Sequence, residues 1–364
     1  MGETGPHILA LAALVLLSGC DGLSDGDRLI TCAQSERPTA SFNPETGEYS
    51  VSLDVMTYNV EGLPPQLHGD RAKDIARIKQ SFNAMIAKGT APDILVVQEM
   101  FTDDAIAKLS AIRYPNFVYG PTRRDVEAPL PVVRLAGYAP AMPNIRAQPS
   151  GVAIFSRYPI TTHRKRAFGY TSCSGADCFA NKGMMIADIA IPGVPVPLHV
   201  ATTHMNAQSA SGMPERVHLH AHRQQSEELA GFLSDDDQAP MIIAGDFNMR
   251  GSPARYAQFS IRIPHQTAHH FCHQNRAECS ALIPLPKPTP WLTTQDLQFF
   301  KDGTLARLNP VQLSHWFDAP ERGDTLSDHA AQRVRWKLRW PMQTQPMAGS
   351  CDYKGIPTLK SLLG

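Results

Sequence analysis

Short apolar runs alternate with amphipathic stretches along most of this chain, and that alternation limits its fold more than any other feature. The runs are rich in Val, Ile and other apolar residues, which is typical of buried β-strands. They lie at 51–60, 92–100, 150–160, 183–191, 197–206 and 240–245. Residues 71–88 and 214–233 have helical periodicity, and the first stretch has on one face Ile75, Ile78, Phe82 and Ile86. The pattern predicts a domain in which strands and helices alternate.

Length and charge limit the possible functions. The chain has 364 residues, of which 43% are hydrophobic, enough for one large domain or two small ones. No repeat is visible, which argues against a solenoid. The formal net charge is +0. Nucleic-acid binders usually carry a basic excess, so that function is disfavoured without being excluded. The proline-rich residues 121–149 predict an inserted loop.

The N-terminus has the layout of an export signal. The run "ILALAALVLLSGC" is too short to span a bilayer and ends in small residues and Cys20. Its "LSGC" resembles a bacterial lipobox, in which the Cys is lipidated and begins the mature protein. An ordinary cleaved signal without lipid is the alternative. We therefore expect a lipoprotein signal peptide at 1–19 and a polar tether at 20–48.

Six cysteines remain if Cys20 is lipidated, and an even number in an exported chain indicates disulfides. Fifteen pairings are possible. We prefer two that close short loops, Cys173–Cys178 and Cys272–Cys279, and one that joins the two ends of the chain, Cys32–Cys351. A zinc site is the competing interpretation, but no CxxC spacing occurs.

Several apolar runs end in polar side chains of the same few kinds. They are Asn59, Glu99, His204, Asp246, Asn248, Asp328 and His329. One such residue alone is commonly a cap or a structural histidine. Together, at strand ends, they can converge on one pocket. Oxygen ligands of this kind suit Mg²⁺ or Ca²⁺, and two histidines beside such an ion suggest proton transfer at phosphorus.

The motifs "TYNVEG", "PDILVVQEMF", "SGVAIFSRYPI", "THMN", "GDFN" and "SDH", in this order, resemble the endonuclease/exonuclease/phosphatase superfamily of metal-dependent phosphoesterases. The resemblance covers roughly 51–340. It implies an α/β fold, a two-sheet mixed β-sandwich flanked by helices in four layers, with the site at one edge between the sheets. We expect this domain at 49–345 and a C-terminal tail at 346–364.

A narrower resemblance lies in "CSGADCFANKGMMIADI" at 173–189 and in "THMNAQ" at 203–208. These stretches look like those of secreted bacterial and neutral sphingomyelinases. They imply that Asn181, Lys182 and Asn206 bind the phosphate or headgroup of the substrate. A disulfide-pinned loop that leads into a strand is the alternative interpretation, and both can hold.

The superfamily resemblance also implies roles for the strand-end residues. Glu99 and Asn59 would bind the divalent ion, with Asp328 next to it or orienting the water. Asp246 and His329 would position and deprotonate the attacking water. Asn248 would donate hydrogen bonds to the phosphorus centre, and His204 would act as general acid or stabilise the oxyanion.

One further carboxylate should hold the imidazole of His329 in a single tautomer. The resemblance points to Asp296 in "TTQDLQFF", although Gln298 interrupts the apolar run expected there. A strand-edge Asp that faces water is the alternative.

Two patterns outside these motifs allow more than one interpretation. The last predicted strand, "RVRWKLRW" at 333–340, alternates apolar and basic residues. Its basic face is either solvated or in contact with anionic lipid or nucleic acid. His218, His220 and His222 share a predicted helix, but no HExxH pattern is present. We interpret these histidines as surface residues or as supports of the site.

The sequence thus predicts an exported phosphodiesterase that depends on Mg²⁺, or on Mn²⁺ or Ca²⁺, and hydrolyses sphingomyelin or a related phospholipid. We expect a monomer without an obligate protein partner, anchored to a bacterial membrane through Cys20 and facing the periplasm or the exterior. An exported nuclease of the same fold, an inositol-phosphate phosphatase and a non-catalytic surface-binding protein are the alternatives.

Overall fold

The structure is a computed structural model that describes residues 27–125, 146–233, 237–285, 293–318, 325–344 and 351. The helices are α1 (Pro65–His68), α2 (Ala72–Ala87), α3 (Asp103–Leu109), α4 (Glu215–Phe232), α5 (Pro253–Arg262) and α6 (Ala268–Gln274). The strands are β1 (Ser41–Asn43), β2 (Glu48–Asn59), β3 (Ile94–Gln98), β4 (Asn116–Tyr119), β5 (Ala153–Ser156), β6 (Ile160–Ala167), β7 (Gly183–Ile189), β8 (Leu198–His204), β9 (Met241–Asp246), β10 (Gln266–Thr267), β11 (Ser280–Ala281), β12 (Asp296–Lys301), β13 (Arg307–Trp316) and β14 (Ala331–Pro341).

The strands form two mixed sheets. The first sheet has the order β11-β13-β14-β2-β3-β5-β4, and β1 pairs with β2 beside it. The second sheet has the order β10-β12-β9-β8-β7-β6. Near its centre each sheet contains one parallel pair, β2 with β3 and β8 with β9. The apolar runs predicted as strands therefore lie in the interiors of both sheets.

Three apolar clusters hold the layers together. The largest lies between the sheets and packs residues such as Val55 and Val96 against Val200 and Ile242. A second cluster joins the first sheet to α2, with Ile75, Ile78 and Phe82 buried as the helical pattern predicted. A third joins the second sheet to α4 and α5. These layers confirm the predicted four-layer sandwich.

The pairing of the strands brings the predicted site residues to one edge. β2 and β3 run parallel, as do β8 and β9, so the carboxyl ends of all four strands lie together. His204 pairs directly with Asp246, and Asp296 at the start of antiparallel β12 pairs with Asp246 from the other side. Gly245 permits this close approach, since a Cβ there would lie 2.3 Å from the carbonyl oxygen of Thr203.

The segment expected to be a polar tether is packed onto the domain from residue 27 onward, so that expectation was wrong for 27–48. The guanidinium of Arg28 donates to the carbonyl oxygens of Ser110, Ile112 and Tyr114 at 2.8–3.0 Å. Strand β1 pairs with β2. The contacts of Arg28 could not be predicted from the sequence because their acceptors lie more than eighty residues away along the chain.

Other predicted segments lie largely outside the described residues. These are the signal at 1–19, Cys20, residues 126–145 of the inserted loop and all of the C-terminal tail except Cys351. The described ends of the insertion, 121–125 and 146–149, form no helix and no extended strand. Within the described ranges, no helix is both long and apolar enough to cross a membrane.

The basic strand β14 alternates as predicted, with Val334, Trp336 and Leu338 buried. On its opposite face Arg333 and Arg335 both donate to the carboxylate of Asp54, at 2.6–3.1 Å. Burial opposes ionisation of Asp54, but these two arginines outweigh it and lower its pKa. Part of the basic face is therefore neutralised within the sheet.

All three preferred disulfide pairings are confirmed: Cys32–Cys351, Cys173–Cys178 and Cys272–Cys279. The first joins residues 319 positions apart, whereas the other two close loops of 5 and 7 positions. A cross-link over a long loop restricts the unfolded chain most, so Cys32–Cys351 is the pairing with the largest expected effect on stability.

We predict that replacing Cys32 and Cys351 together by Ser lowers the free energy of unfolding by about 2–5 kcal/mol. Urea denaturation monitored by circular dichroism measures this change. The matched control is the double Ser variant of Cys272 and Cys279, for which a smaller loss is expected. Equal transition midpoints for the two variants would contradict the chain-entropy explanation.

Candidate active site

Asn59 and Asp246 join the two sheets at the edge where the site lies. The side-chain Nδ2 of Asn59, at the end of β2, donates to Glu99 Oε1 at 2.9 Å and to Asp246 Oδ2 at 3.0 Å. Its Oδ1 accepts from the backbone N–H of Glu61 at 3.0 Å. Glu99 follows β3 in the first sheet, and Asp246 ends β9 in the second. One carboxamide therefore holds two carboxylates from different sheets.

The proximity of these carboxylates is costly without a cation. Burial, together with the charge of Asp246, raises the pKa of Glu99 to about 7 against the opposing effects of Asn59, Lys182 and His329. Glu99 also adopts a left-handed backbone conformation, with φ of 62°. Strain and an elevated pKa at one carboxylate are typical of a functional site.

His204 faces both carboxylates and a lysine. Its Nε2 lies 3.5 Å from Asp246 Oδ2, 3.7 Å from Glu99 Oε1 and 3.0 Å from the Nζ of Lys182. Lysine can only donate, so Nε2 is the acceptor in that contact. Burial, and then the charge of Lys182, lowers the pKa of His204 well below its usual value. The imidazole is therefore neutral at pH 7, and the positive charge here belongs to Lys182.

Lys182 is held by the loop between the two cysteines. Its Nζ forms an ion pair with Asp177 Oδ1 and donates to the carbonyl oxygen of Met205 at 3.1 Å. The other oxygen of Asp177 accepts from the backbone N–H of Ala207 at 2.7 Å. Gly175 in this loop has φ of 59°, and a Cβ there would collide with the backbone of Ser211. The loop thus fixes the ammonium next to His204.

His329 forms a buried pair with Asp296. Its Nδ1 lies 2.7 Å from Asp296 Oδ2, and its Nε2 lies 3.9 Å from Asp246 Oδ2. Burial opposes the charged imidazole, but the charge and hydrogen bond of Asp296 outweigh it and raise the pKa of His329 to about 11. Burial raises the pKa of Asp296 to about 6. Among the protein groups alone, the two therefore form an ion pair.

Asp296 is 1% exposed, so the alternative of a carboxylate that faces water was wrong. Gln298, which interrupts the apolar run, is also fully buried. It donates to the carbonyl oxygens of Val55 and Gln332 and accepts from the indole N–H of Trp336 at 3.1 Å. Gln298 therefore bonds to the first sheet from within the core of the sandwich, which explains a polar residue in this run.

Asn248 is strained and is held by hydrogen bonds from its backbone and its side chain. It has φ of 52°, its backbone N–H donates to Asp246 Oδ1 at 2.9 Å, and its Nδ2 donates to the carbonyl oxygen of Met205 at 3.0 Å. These bonds hold its side chain beside the strand end that carries His204. Its role in binding the phosphorus centre stays a prediction.

Three predicted residues lie away from this cluster or use their polar atoms elsewhere. The side chain of Asp328 is 62% exposed, at the rim, with Oδ1 4.0 Å from His329 Nε2. Asn181 donates to the carbonyl oxygens of Thr122 and Asp125, at 2.7 and 2.9 Å. Asn206 exchanges hydrogen bonds with Ser174. The geometry gives Asn181 and Asn206 loop-supporting contacts, and their substrate contacts stay predictions.

Several residues that hold the site were not predicted from the sequence. Asp177 was overlooked although it stands within the GAD motif. Glu61 accepts from the backbone N–H of Asp328 and from Arg71, both at 3.0 Å. Ser327 donates to the carbonyl oxygen of Asn59 at 2.7 Å. Gln295 places its amide 3.0 Å from His329 Nε2. The sequence feature that could have pointed to them is their position within or next to the motifs.

The donor set suits a hard divalent cation. Ligand atoms of Glu99, His204 and Asp246 lie within 4.8 Å of one another, and so do those of Asp246, Asp296 and His329. Carboxylate oxygens predominate, which favours Mg²⁺, Mn²⁺ or Ca²⁺ over softer metals. Glu99 and Asp246 share only one amide donor between them, so a cation would relieve their repulsion. The residues present therefore fit a divalent ion.

The profile of the Endonuclease/Exonuclease/phosphatase family matches residues 56–329, and the chain belongs to this family. Its class is therefore that of the metal-dependent phosphoric diester hydrolases. The match extends from β2 to His329 and so includes every strand end that contributes to the cluster. A search by sequence among curated proteins finds no significant match.

Solved structures of several differently named proteins share this fold. Sphingomyelinase C from Streptomyces griseocarneus is 20% identical, with a TM-score of 0.52, and the match covers 78% of this chain and 99% of that chain. Beta toxin from Staphylococcus aureus, with bound magnesium ions, is 17% identical, with a TM-score of 0.51 over 79% and 99%. TDP2 from D. rerio, complexed with a single-stranded DNA product, is 16% identical, with a TM-score of 0.51 over 78% and 98%. At these identities the likeness establishes the fold alone.

We predict that Mg²⁺ binds more tightly as pH rises through about 7. Below that pH a proton occupies Glu99 and the ion must displace it, whereas above it the carboxylate is already ionised. Titration calorimetry in two buffers of different ionisation enthalpy measures both the affinity and the proton released. Glu99→Gln should lose most of the affinity and its pH dependence. Asp103→Asn, which changes an 87% exposed carboxylate, is the control.

We predict that Asp296→Asn lowers kcat by ~10²–10⁴-fold, the range typical of a lost proton-transfer function. Removing the carboxylate charge also lowers the pKa of His329, so the acid limb of the pH–rate profile should move to lower pH. Hydrolysis of bis(4-nitrophenyl) phosphate measures both effects. Asp237→Asn, at an exposed ion pair with Lys301, is the control. Unchanged kcat in Asp296→Asn would remove Asp296 from the base assignment.

Proposed function

We propose that this protein hydrolyses sphingomyelin or a related phospholipid, releasing the phosphorylated headgroup in a reaction that depends on Mg²⁺. The observation that carries the proposal is the contact of Lys182 with His204, made by a loop whose sequence resembles that of sphingomyelinases. The ammonium provides a positive charge beside the carboxylate cluster, where a phosphodiester anion would bind. The fold match to sphingomyelinase C is consistent with this choice.

The attacking water would be held by Asp246 and His329. The Nδ1 of His329 is occupied by Asp296, so Nε2 is the atom left to accept a proton. The side-chain nitrogen of Gln295 also lies 3.0 Å from Nε2, and His329 must lose its proton before it can act as a general base. When bound, a divalent cation stabilises charge on the phosphoryl oxygens and offsets the carboxylate charge that favours protonated His329.

The leaving alkoxide would depart on the side of His204 and Lys182. His204 is neutral, so the proton or the hydrogen bond needed by the leaving oxygen would come through Lys182 and the imidazole together. Asn248, fixed by Asp246 and Met205, would donate to the equatorial oxygens. In-line attack then has the base on one side of the phosphorus and the acid on the other.

We also propose that the protein is exported and tethered to a bacterial membrane through lipidated Cys20. Three disulfides support folding in an oxidising compartment. The "LSGC" sequence supports lipidation. A lipid anchor would keep the site close to its substrate surface, which raises the effective substrate concentration.

The proposal is tested with a substrate panel of sphingomyelin, phosphatidylcholine, plasmid DNA and inositol phosphates, each with Mg²⁺, Mn²⁺ or Ca²⁺. We expect phosphocholine release from sphingomyelin with Mg²⁺, and none after EDTA. Asp246→Asn serves as the inactive matched protein. Nicking of plasmid DNA without phosphocholine release would replace the lipid substrate by a nucleic acid, and phosphate release from inositol phosphates would identify a phosphomonoesterase.

A further inference from the structure

Arg255 lies beneath the site and contacts two of its strand-end loops. The residue belongs to α5, which follows the "GDFN" motif, and its side chain is 0% exposed. One guanidinium nitrogen donates to the carbonyl oxygens of Asn206 at 2.5 Å and Asn248 at 3.0 Å. The other donates to the carbonyl oxygen of Ala207 at 3.0 Å. A single planar group therefore connects the loop after β8 with the loop after β9.

The same guanidinium is anchored to α4. It donates to Nδ1 of His218 at 2.8 Å and to the carbonyl oxygen of His218 at 3.2 Å. His222 nearby places Nε2 3.0 Å from the carbonyl oxygen of Phe247. Both histidines are buried, so their interpretation as surface residues was wrong and the supporting role remains. Helix α4 therefore fixes the position of Arg255 and, through it, the position of the two loops.

Burial makes the charge of Arg255 costly and lowers its pKa to about 10. That value still leaves it protonated at neutral pH. Among the described residues no carboxylate lies within ion-pair distance of it, and the charges of Asp177, Asp246 and Glu215 favour its protonated form from farther away. Its two terminal nitrogens donate to carbonyl oxygens and to an imidazole nitrogen, which a rigid planar fork can reach together and a lysine cannot.

The contact with Asn248 bears directly on catalysis. Asn248 has φ of 52°, a conformation that a non-glycine residue keeps only when its surroundings impose it. Its N–H is held by Asp246, its side chain by Met205 and its carbonyl by Arg255. Without Arg255 the carbonyl is free to rotate, and the peptide can relax away from the geometry that aims the side chain.

We infer that Arg255 is a positioning residue for this phosphodiesterase site, which holds the loops of His204 and Asn248 in register through their backbone carbonyls. The inference rests on the proposed function for its kinetic effect but not for its structural effect. Arg255 forms no hydrogen bond with the carboxylate cluster or with His329, and its charge interacts with Asp246 only at a distance, so its direct contacts are with the loops.

The first experiment measures hydrogen exchange by mass spectrometry in wild type, Arg255→Lys and Arg255→Gln. We expect faster exchange of the peptides that contain 205–208 and 246–250, with unchanged exchange in β2 and β3. Arg262→Met is the matched control, because Arg262 lies on the same helix and its side-chain hydrogen bonds within the described part of the chain go to exposed Glu227 and to its own helix. Unchanged exchange at both loops in the folded lysine variant would overturn the inference.

The second experiment measures kcat and KM for bis(4-nitrophenyl) phosphate, normalised to folded protein. We expect Arg255→Lys to lower kcat ~10–100-fold with KM changed less than threefold, since small misplacements of catalytic groups cost rates of this order. Arg262→Met should match wild type. A purely structural role would lower the melting temperature while leaving kcat of the folded enzyme unchanged, and that result would also overturn the inference.

The two experiments separate this inference from the proposed function. A wild-type enzyme that hydrolyses no phosphodiester would refute the proposed function, and the exchange data would still decide whether Arg255 orders the loops. An active wild type with unaffected Arg255 variants would refute only the inference. Should Arg255→Gln fail to fold, the lysine variant carries both tests, because it retains the charge and loses the fork.

Discussion

One carboxamide joins the two halves of the molecule where chemistry can occur. Asn59 extends from the first sheet and donates to Glu99 of its own sheet and to Asp246 of the other. Both carboxylates are buried or nearly so, and each alone would be expensive to keep ionised. Sharing a donor lowers that cost only in part, which is visible in the raised pKa of Glu99. The rest of the architecture serves to keep these three groups together.

Rigid support comes from buried polar side chains that bind the backbone of the loops. Arg255 holds the carbonyls after β8 and β9, Glu61 holds the N–H of Asp328, and Asp177 holds that of Ala207. Backbone contacts fix a loop irrespective of its side chains. Loops held in this way suit a site whose geometry must be accurate to a fraction of an ångström.

Much of the fold was predictable because local sequence patterns indicate its strands and helices. The apolar runs gave the strands, and the periodicity of 71–88 gave a helix with Ile75, Ile78 and Phe82 buried. The strand-end residues could be grouped because parallel strands bring their carboxyl ends together. The contacts of Arg28 and Arg255 with distant segments could not be predicted. Arg28 looked like part of a tether, and nothing local distinguishes Arg255 from a partly exposed helical arginine such as Arg262.

Gln298 illustrates the same limit within a strand. A glutamine in an apolar run weakened the case for Asp296, yet it satisfies two carbonyls and an indole inside the core. Only the positions of its partners, on strands far along the chain, make it a stabilising choice. Sequence patterns indicate the preference of a single residue, whereas a buried amide is stable only where neighbouring groups form hydrogen bonds with it.

The cross-link between Cys173 and Cys178 closes the short loop that carries Asp177, and through it Lys182. In a reducing cytosol these two thiols stay reduced, and the loop that binds the ammonium lacks its cross-link. Formation of this disulfide therefore fixes the loop that holds the ammonium, which links the geometry around Lys182 to the redox state of the surroundings.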